Sequence, residues 1–312
     1  MHGLSYPNRP IALLADLYSR TEGAQASRRN VLNADQREQV FQNSLLRRSE
    51  SIRSLTDCHC HLHEKEFNND RLKQRVGLWN RIGINHIIAV SMNHTSIKQT
   101  MLIYDRSITE NWPISIYPAI GIHPWEAHKE FEIDLLTDAL NKLPCPIVGE
   151  IGLDHRFVPE KRWNKQSLVF EQMLQLAEER SAPVIVHSKD AEAQVLDLLV
   201  GYLIPKIVLH WYTGPLSLVN IAIERGYYFS ITPAIEYSHV LKYLAQNAPL
   251  EQLLLESDGP VGYRLPWGRI RGTPSWIPMI ARQISQLRNN KSIDSLIQII
   301  EFNTKSLLGK RN

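Results

Sequence analysis

The strongest constraint on this chain is an alternation of segment types. From residue 55 onward, short apolar, β-branched runs take turns with amphipathic stretches of helical period. The strand candidates are SLTDCH, INHIIAVSM, ISIYPAIGIHP, PIVGEIGLD, PVIVHS, PKIVLHW, YYFSITPA and QLLLESDGP. Helical spacing is predicted between nearly all of them, most clearly in RLKQRVGLWNRIG, SLVFEQMLQLAEERSA and AEAQVLDLLVGY. Two further helices, IPMIARQISQLRNN and IDSLIQIIEFNTKSLLG, close the sequence. Strands that are apolar on both faces belong to a parallel sheet covered on both sides. Eight strand–helix units in roughly 258 residues fit a closed α/β barrel, the (β/α)8 TIM barrel, better than an open sheet. An open doubly wound sheet would carry a Gly-rich phosphate loop after an early strand, and none is present.

A barrel of this kind carries its chemistry at the C-terminal ends of its strands. Those ends hold His59 and His61 (first), His123 (third), Glu150 (fourth), His187 (fifth), His210 (sixth) and Asp258 (eighth). One histidine at a strand end is ordinarily a packed or surface residue. Seven residues of metal-ligating type, one set around one barrel mouth, point to a metal site. In an extended chain alternate residues share a face, so His59 and His61 point together into the mouth. Cys58 and Cys60 are expected to point the other way, into packing. A zinc knuckle would need a second Cys/His pair, and the third cysteine, Cys145, stands alone. Imidazoles with carboxylates suit Zn, Mn or Mg, and the His-rich set favours the transition metals.

The motifs DCHCHL, GIHP, GEIGLD, VIVHSKD, LHWYTG and ESDGP, in that order over about residues 55–310, resemble those of the TatD-like metal-dependent deoxyribonucleases, within the amidohydrolase-type barrels. LHWYTG, FSITPA and ESDGP also resemble the TatD-like subunit of the bacterial Qat anti-phage systems. The resemblance implies a two-metal site. His59, His61 and Asp258 would hold one ion, Glu150 would bridge, and His187 and His210 would hold the other, with Asp258 also accepting a proton from water. It implies DNA as substrate, with His123 near a phosphate oxygen; a capping or packing role beside Pro124 is the other reading of His123. His63 stands where the family usually has an Asp. Asp154 reads either as a support for the ligands or as a loop brace. Lys189, Arg264, Arg269 and Arg271 are expected on loops after the fifth and eighth strands, as DNA backbone contacts or merely solvated charges. Trp125, Trp211, Tyr212 and Trp267 are candidates for stacking on bases.

Residues 1–54 differ from the rest. Two short helical patterns, RPIALLADLYSR and NADQREQVFQNSLLRRSESIR, flank the linker-like TEGAQASRRN, so a helical extension that docks on the barrel or a protein partner is one reading and a loose arm the other. This segment holds eight Arg against five acids, a net +3; residues 55–312 hold 27 basic and 27 acidic side chains. The body therefore is no polycationic nucleic-acid binder, and bound cations or local patches must attract a polyanion. No apolar run is long enough for a membrane span, and no signal peptide is read at the start, which leads to an expectation of a cytoplasmic protein. Three cysteines agree with a reducing compartment. The function expected is DNA cleavage at single-stranded or frayed ends by two divalent metal ions. The alternatives are hydrolysis of an amide, lactone or aminoacyl ester by the same centre, and a non-catalytic scaffold subunit.

Overall fold

The computed structural model describes residues 54–309 except 69, 266–267 and 290–291. The expected helical extension, apart from Ser54, and Trp267 lie outside the described residues.

Eight parallel strands form one sheet in sequential order, β1 to β8. They are β1 Leu55–Cys60, β2 Ile84–Val90, β3 Ser115–Ile120, β4 Ile147–Asp154, β5 Val184–Lys189, β6 Ile207–Leu209, β7 Tyr228–Ile231 and β8 Leu253–Leu255. The helices between them are α1 Leu72–Arg81, α2 His94–Thr109, α3 Ile133–Asn141, α4 Trp163–Glu179, α5 Glu192–Leu199, α6 Leu216–Glu224 and α7 His239–Asn247, followed by α8 Ile277–Leu287 and α9 Ile293–Leu307. The sheet closes on itself just beyond β8, where Asp258 N–H donates to His59 O (3.0 Å) and His61 N–H to Gly259 O (2.8 Å). The expected TIM barrel is the observed one.

Two apolar layers hold it. Inside the barrel, one or two residues per strand form a cluster that includes Ile88, Val90, Ile185, Val208 and Leu254, with Leu307 and Leu308 closing the floor. The other faces of the strands pack against the helices in a larger cluster that contains Phe67, Trp79, Phe170 and Phe229. Each buried Leu, Ile or Phe side chain stabilises by about 1.5–3 kcal/mol relative to exposure, so a core of this size offsets polar groups buried at the mouth. Helix starts are marked locally: α2 opens with a reciprocal capping box between Asn93 and Ser96, and Ser292 caps α9.

Two expectations need correction. Cys58 and Cys60 do not share a side. Both are buried, but Cys58 belongs to the cluster inside the barrel and Cys60 to the outer layer. The cause is a shift of pairing register between Asp57 and Cys60, which breaks the simple alternation of faces. Arg264, Arg269 and Arg271 lie not on an irregular loop but on an antiparallel hairpin, β9 Gly262–Leu265 with β10 Gly268–Arg271. Tyr263, Leu265 and Ile270 are buried on one face and the three arginines are exposed on the other, a period-two pattern that the sequence contains.

Candidate metal centre

All seven strand-end residues are buried at one mouth of the barrel. Glu150 lies in β4 at a register shift against β5, between Gly149 and Ile151, where a bulge re-aims a side chain. The neighbouring Gly152 has φ +136°, and a Cβ there would sit 2.0 Å from His187 O, so only glycine lets β5 approach closely enough to bring His187 beside Glu150. Asp258 itself sits at φ +46°, the left-handed region that a non-glycine residue rarely adopts, held by its N–H bond to His59 O.

The first group of donors converges on one point. His59 Nε2 is 3.2 Å from His61 Nε2, 3.2 Å from Glu150 Oε2 and 3.5 Å from Asp258 Oδ1. His61 Nε2 is 3.5 Å from each of the same two carboxylate oxygens. A tetrahedral ion with ligands about 2.0–2.1 Å away separates its ligand atoms by about 3.3–3.4 Å. His59, His61 and Glu150 therefore offer donor atoms close enough for one ion, with Asp258 Oδ1 3.5 Å from both rings. Among the described residues, the buried Nδ1 atoms of His59 and His61 have no hydrogen-bond partner.

The second group is already internally bonded. His187 touches carboxylates at both ring nitrogens, Nδ1 to Glu150 Oε1 at 2.7 Å and Nε2 to Asp154 Oδ2 at 2.9 Å. His123 Nδ1 accepts the N–H of Trp125 (3.1 Å), which leaves its Nε2–H facing Glu150 Oε1 at 3.3 Å. His210 Nε2 lies 3.6 Å from Glu150 Oε1 and 3.9 Å from Asp258 Oδ2. Its ring stacks on that of His59 at 3.7 Å. Glu150 thus presents Oε2 to the first group and Oε1 to the second.

The electrostatics ask for positive charge. Burial works against a protonated His59, yet Glu150 and Asp258 outweigh it and lift its pKa to about 9. Burial also favours a neutral Glu150, but the surrounding His123, His59 and His210 hold its pKa well below the usual carboxylate range. His210 is pushed down, first by burial and then by His59. Opposing shifts of this kind, packed in one cleft, are typical of functional centres.

The other expected residues divide. Asp154 does both things read for it. Its Oδ2 accepts from His187 and from Trp125 Nε1 (2.6 Å), and its Oδ1 accepts the N–H groups of Arg156 (2.9 Å) and Phe157 (2.7 Å). Lys189 is not on a loop: it ends β5 and is buried. Its ammonium donates to Trp211 O (2.5 Å) and lies 4.8 Å above the Trp211 ring. Burial lowers its pKa to about 8. Tyr212 is fully buried, its hydroxyl donating to Pro215 O, so it offers no stacking face. Trp211 is half-buried against Tyr263. Arg271 is exposed and pairs with Glu66 at 3.2 Å. His63 stands apart from the donors, its Nδ1–H donating to Val90 O (3.1 Å); burial and then His61 push its pKa down to about 3, so it is neutral.

Two residues escaped the sequence reading. Glu256 is buried, accepts from His210 Nδ1 (2.9 Å) and Trp211 N–H (3.0 Å), and is pushed up to about 7 chiefly by burial. Asp57 accepts from Ser257 N–H (2.9 Å), from the Ser257 hydroxyl and from His59 N–H (3.3 Å), and is likewise raised to about 7 by burial. Both stand two residues before a ligand candidate, Glu256 before Asp258 and Asp57 before His59, but the register shift in β1 and the left-handed backbone at Asp258 break the alternation, so parity does not place them.

Residues 56–309 match the family model described as TatD related DNase. The chain belongs to the TatD family. It is 28% identical over 272 residues to the human deoxyribonuclease TATDN3, covering 82% of this chain and 95% of that one. It is 30% identical over 268 residues to the 3'-5' ssDNA/RNA exonuclease TatD of Edwardsiella piscicida, covering 81% and 98%. Among solved structures, the TatD homologue YjjV of Escherichia coli superposes with TM-score 0.72 at 25% identity, over 84% of this chain and all of that one. The protein is a metal-dependent hydrolase of the TatD deoxyribonuclease type. Among the described residues no helix is long and apolar enough to cross a membrane.

Proposed function

We propose that this chain cleaves phosphodiester bonds at single-stranded or frayed DNA ends with two divalent ions, of Zn, Mn or Mg type. The observation that carries the reading is the convergence of His59, His61, Glu150 and Asp258 at separations of 3.2–3.5 Å, with the far oxygen of Glu150 turned to His187 and His210. In this reading His59, His61 and Asp258 hold one ion, His187 and His210 the other, and Glu150 serves both. When bound, such a pair lowers the pKa of water and neutralises the charge of a phosphodiester in transit.

The protein's own groups supply the rest. Asp258 lies beside both donor groups, and its carboxylate takes the proton of the attacking water. His123 directs its Nε2–H into the same space, where it donates to a phosphate oxygen once a substrate displaces it from Glu150. Asp154 and Glu256 fix the rings of His187 and His210, as hydrogen-bond partners of metal-ligating histidines do. Lys189 adds a buried positive charge next to the carboxylates, in reach of a substrate anion. A cleft of about 690 Å³, lined by His155, Asp190, Thr213, Gly214 and His239 among others, lies next to the ends of β5 and β6. The closed barrel mouth suits an end better than an intact duplex. The defence role suggested by LHWYTG and ESDGP rests on that resemblance alone.

The deciding experiment incubates metal-stripped and metal-restored protein with end-labelled single-stranded DNA, duplex DNA and RNA. Progressive shortening of single-stranded DNA, absent in chelator and restored by metal, supports the reading. Hydrolysis of none of the three by metal-restored protein overturns it in favour of a non-nucleic-acid ester or amide.

A further inference from the structure

We propose that Trp125 and Phe157 form a stacking site for the nucleobase adjoining the scissile phosphate; this rests on the nuclease reading above. Exposed apolar side chains are common, and most here lie singly on helices, such as Leu102, Leu168 and Phe302. Trp125 and Phe157 are different in three ways.

They lie on the loops after β3 and β4, at the mouth, and they touch. Their rings meet edge to face at 5.9 Å and 79° while remaining 43% and 65% exposed. A pair this exposed leaves part of each ring surface open to solvent.

They are also held in place from beneath. The indole N–H of Trp125 donates to Asp154 Oδ2 at 2.6 Å, and the other oxygen of that carboxylate accepts the backbone N–H groups of Arg156 and Phe157. The Trp125 backbone N–H is in turn bonded to His123. An aromatic side chain fixed this way loses little freedom on binding, which is what an anchoring platform requires.

Finally, the pair continues the site outward. His123, 3.3 Å from Glu150, meets the Trp125 ring edge to face at 5.0 Å, and Trp125 meets Phe157. Two ring contacts therefore separate the groups facing a phosphate from an open aromatic surface, a spacing on the scale of one nucleotide. Bases stack on such surfaces with little sequence preference. A protein partner would bury the pair as well, but Asp154, which bonds His187, the Trp125 indole and the Phe157 backbone N–H, ties the pair to the reacting site.

The test uses the metal-loaded full chain and single-stranded oligodeoxynucleotides in which an abasic analogue replaces each position near the cleaved end in turn. Wild type is expected to lose about tenfold in kcat/KM, mainly through KM, when the abasic position falls next to the cleaved bond. Phe157→Ala should show the same loss on intact DNA and no further loss with the abasic substrate, whereas Phe157→Tyr should behave as wild type. Phe157 is exposed, so its truncation leaves the fold intact, to be checked by thermal melting. Equal kcat/KM for wild type and Phe157→Ala on intact DNA, or an abasic penalty of equal size in both, overturns the proposal while leaving the nuclease reading standing. Failure of wild type to cleave any oligonucleotide defeats the nuclease reading itself.

Discussion

The two halves of the metal centre share Glu150 yet are built differently. On the β1/β8 side, His59 Nε2 lies 3.2 Å from both His61 Nε2 and Glu150 Oε2, and Asp258 Oδ1 lies 3.5 Å from each of the two rings. On the β4/β5 side, His187 has both nitrogens within 2.9 Å of carboxylates, and His210 reaches Glu150 only at 3.6 Å. In the two-ion reading, an ion on the first side would meet donor atoms already 3.2–3.5 Å apart and replace the proton that the carboxylates favour on His59. An ion on the second side would have to part His187 Nδ1 from Glu150 Oε1 at 2.7 Å. That reading predicts unequal affinities, the first ion tighter than the second.

The sharpest way to break that comparison is to remove what the halves share. Glu150→Gln puts a neutral amide where one carboxylate serves both groups. Hydrolysis should fall by at least about a thousandfold, and bound metal should fall with it, as read by elemental analysis beside a nuclease assay. Full metal content with full activity would show that Glu150 is not the shared ligand.

Asp258→Asn acts on the first half and on proton transfer. A loss of about a hundredfold or more in kcat is expected, the ordinary size of a general-base contribution. The fold should survive, which circular dichroism checks, because the amide keeps the volume. Retained kcat would remove Asp258 from the reaction.

Glu256→Gln sharpens the comparison on the second half alone. Glu256 accepts from His210 Nδ1 and so directs Nε2 into the site. Loss of such a partner typically weakens metal binding by about 10–100-fold. Calorimetric titration should show the weaker step shifted and the tighter step unchanged; the reverse pattern would assign Glu256 to the first ion.

Glu301 serves as the control, a buried carboxylate away from the barrel mouth whose nearby charge, Lys305, does not offset its burial. It lies on α9 at the barrel floor, accepts from Ser54 and Thr56 hydroxyls at 3.2 and 3.4 Å, and its Oε1 has no partner. Burial raises its pKa above the ordinary glutamate range. A raised carboxylate is protonated at no cost below its unfolded value, and its penalty grows as pH rises through the folded one. Glu301→Gln should therefore raise stability near pH 7.5 and change it little near pH 4. Melting temperatures at the two pH values check this; destabilisation at pH 7.5 would mean that the charge is compensated.

Much of this was legible in the residues. The alternation of β-branched runs and helices names the barrel because parallel strands covered on both faces leave no other pattern. The strand ends name His59, His61, Glu150, His187, His210 and Asp258, since that architecture gathers such ends at one mouth. What escaped depends on local register and on pairing across the barrel. The shift within β1 separates Cys58 from Cys60, and period-two logic has no term for it. Lys189 read as a surface charge because burial of a lysine depends on acceptors supplied by Trp211 and Thr213, more than twenty positions away. Glu256 and Asp57 lay in view, next to quoted ligands, and only their long-range partners reveal what they do.

In the two-ion reading, a pair of metal positions would meet at Glu150, the first tighter than the second. The most direct measurement titrates metal-free protein with Mn²⁺ or Zn²⁺ by calorimetry while following hydrolysis of single-stranded DNA at each metal ratio. The account predicts two binding steps of unequal affinity, with activity rising on the second. A single step, with full activity at one ion per chain, would contradict it.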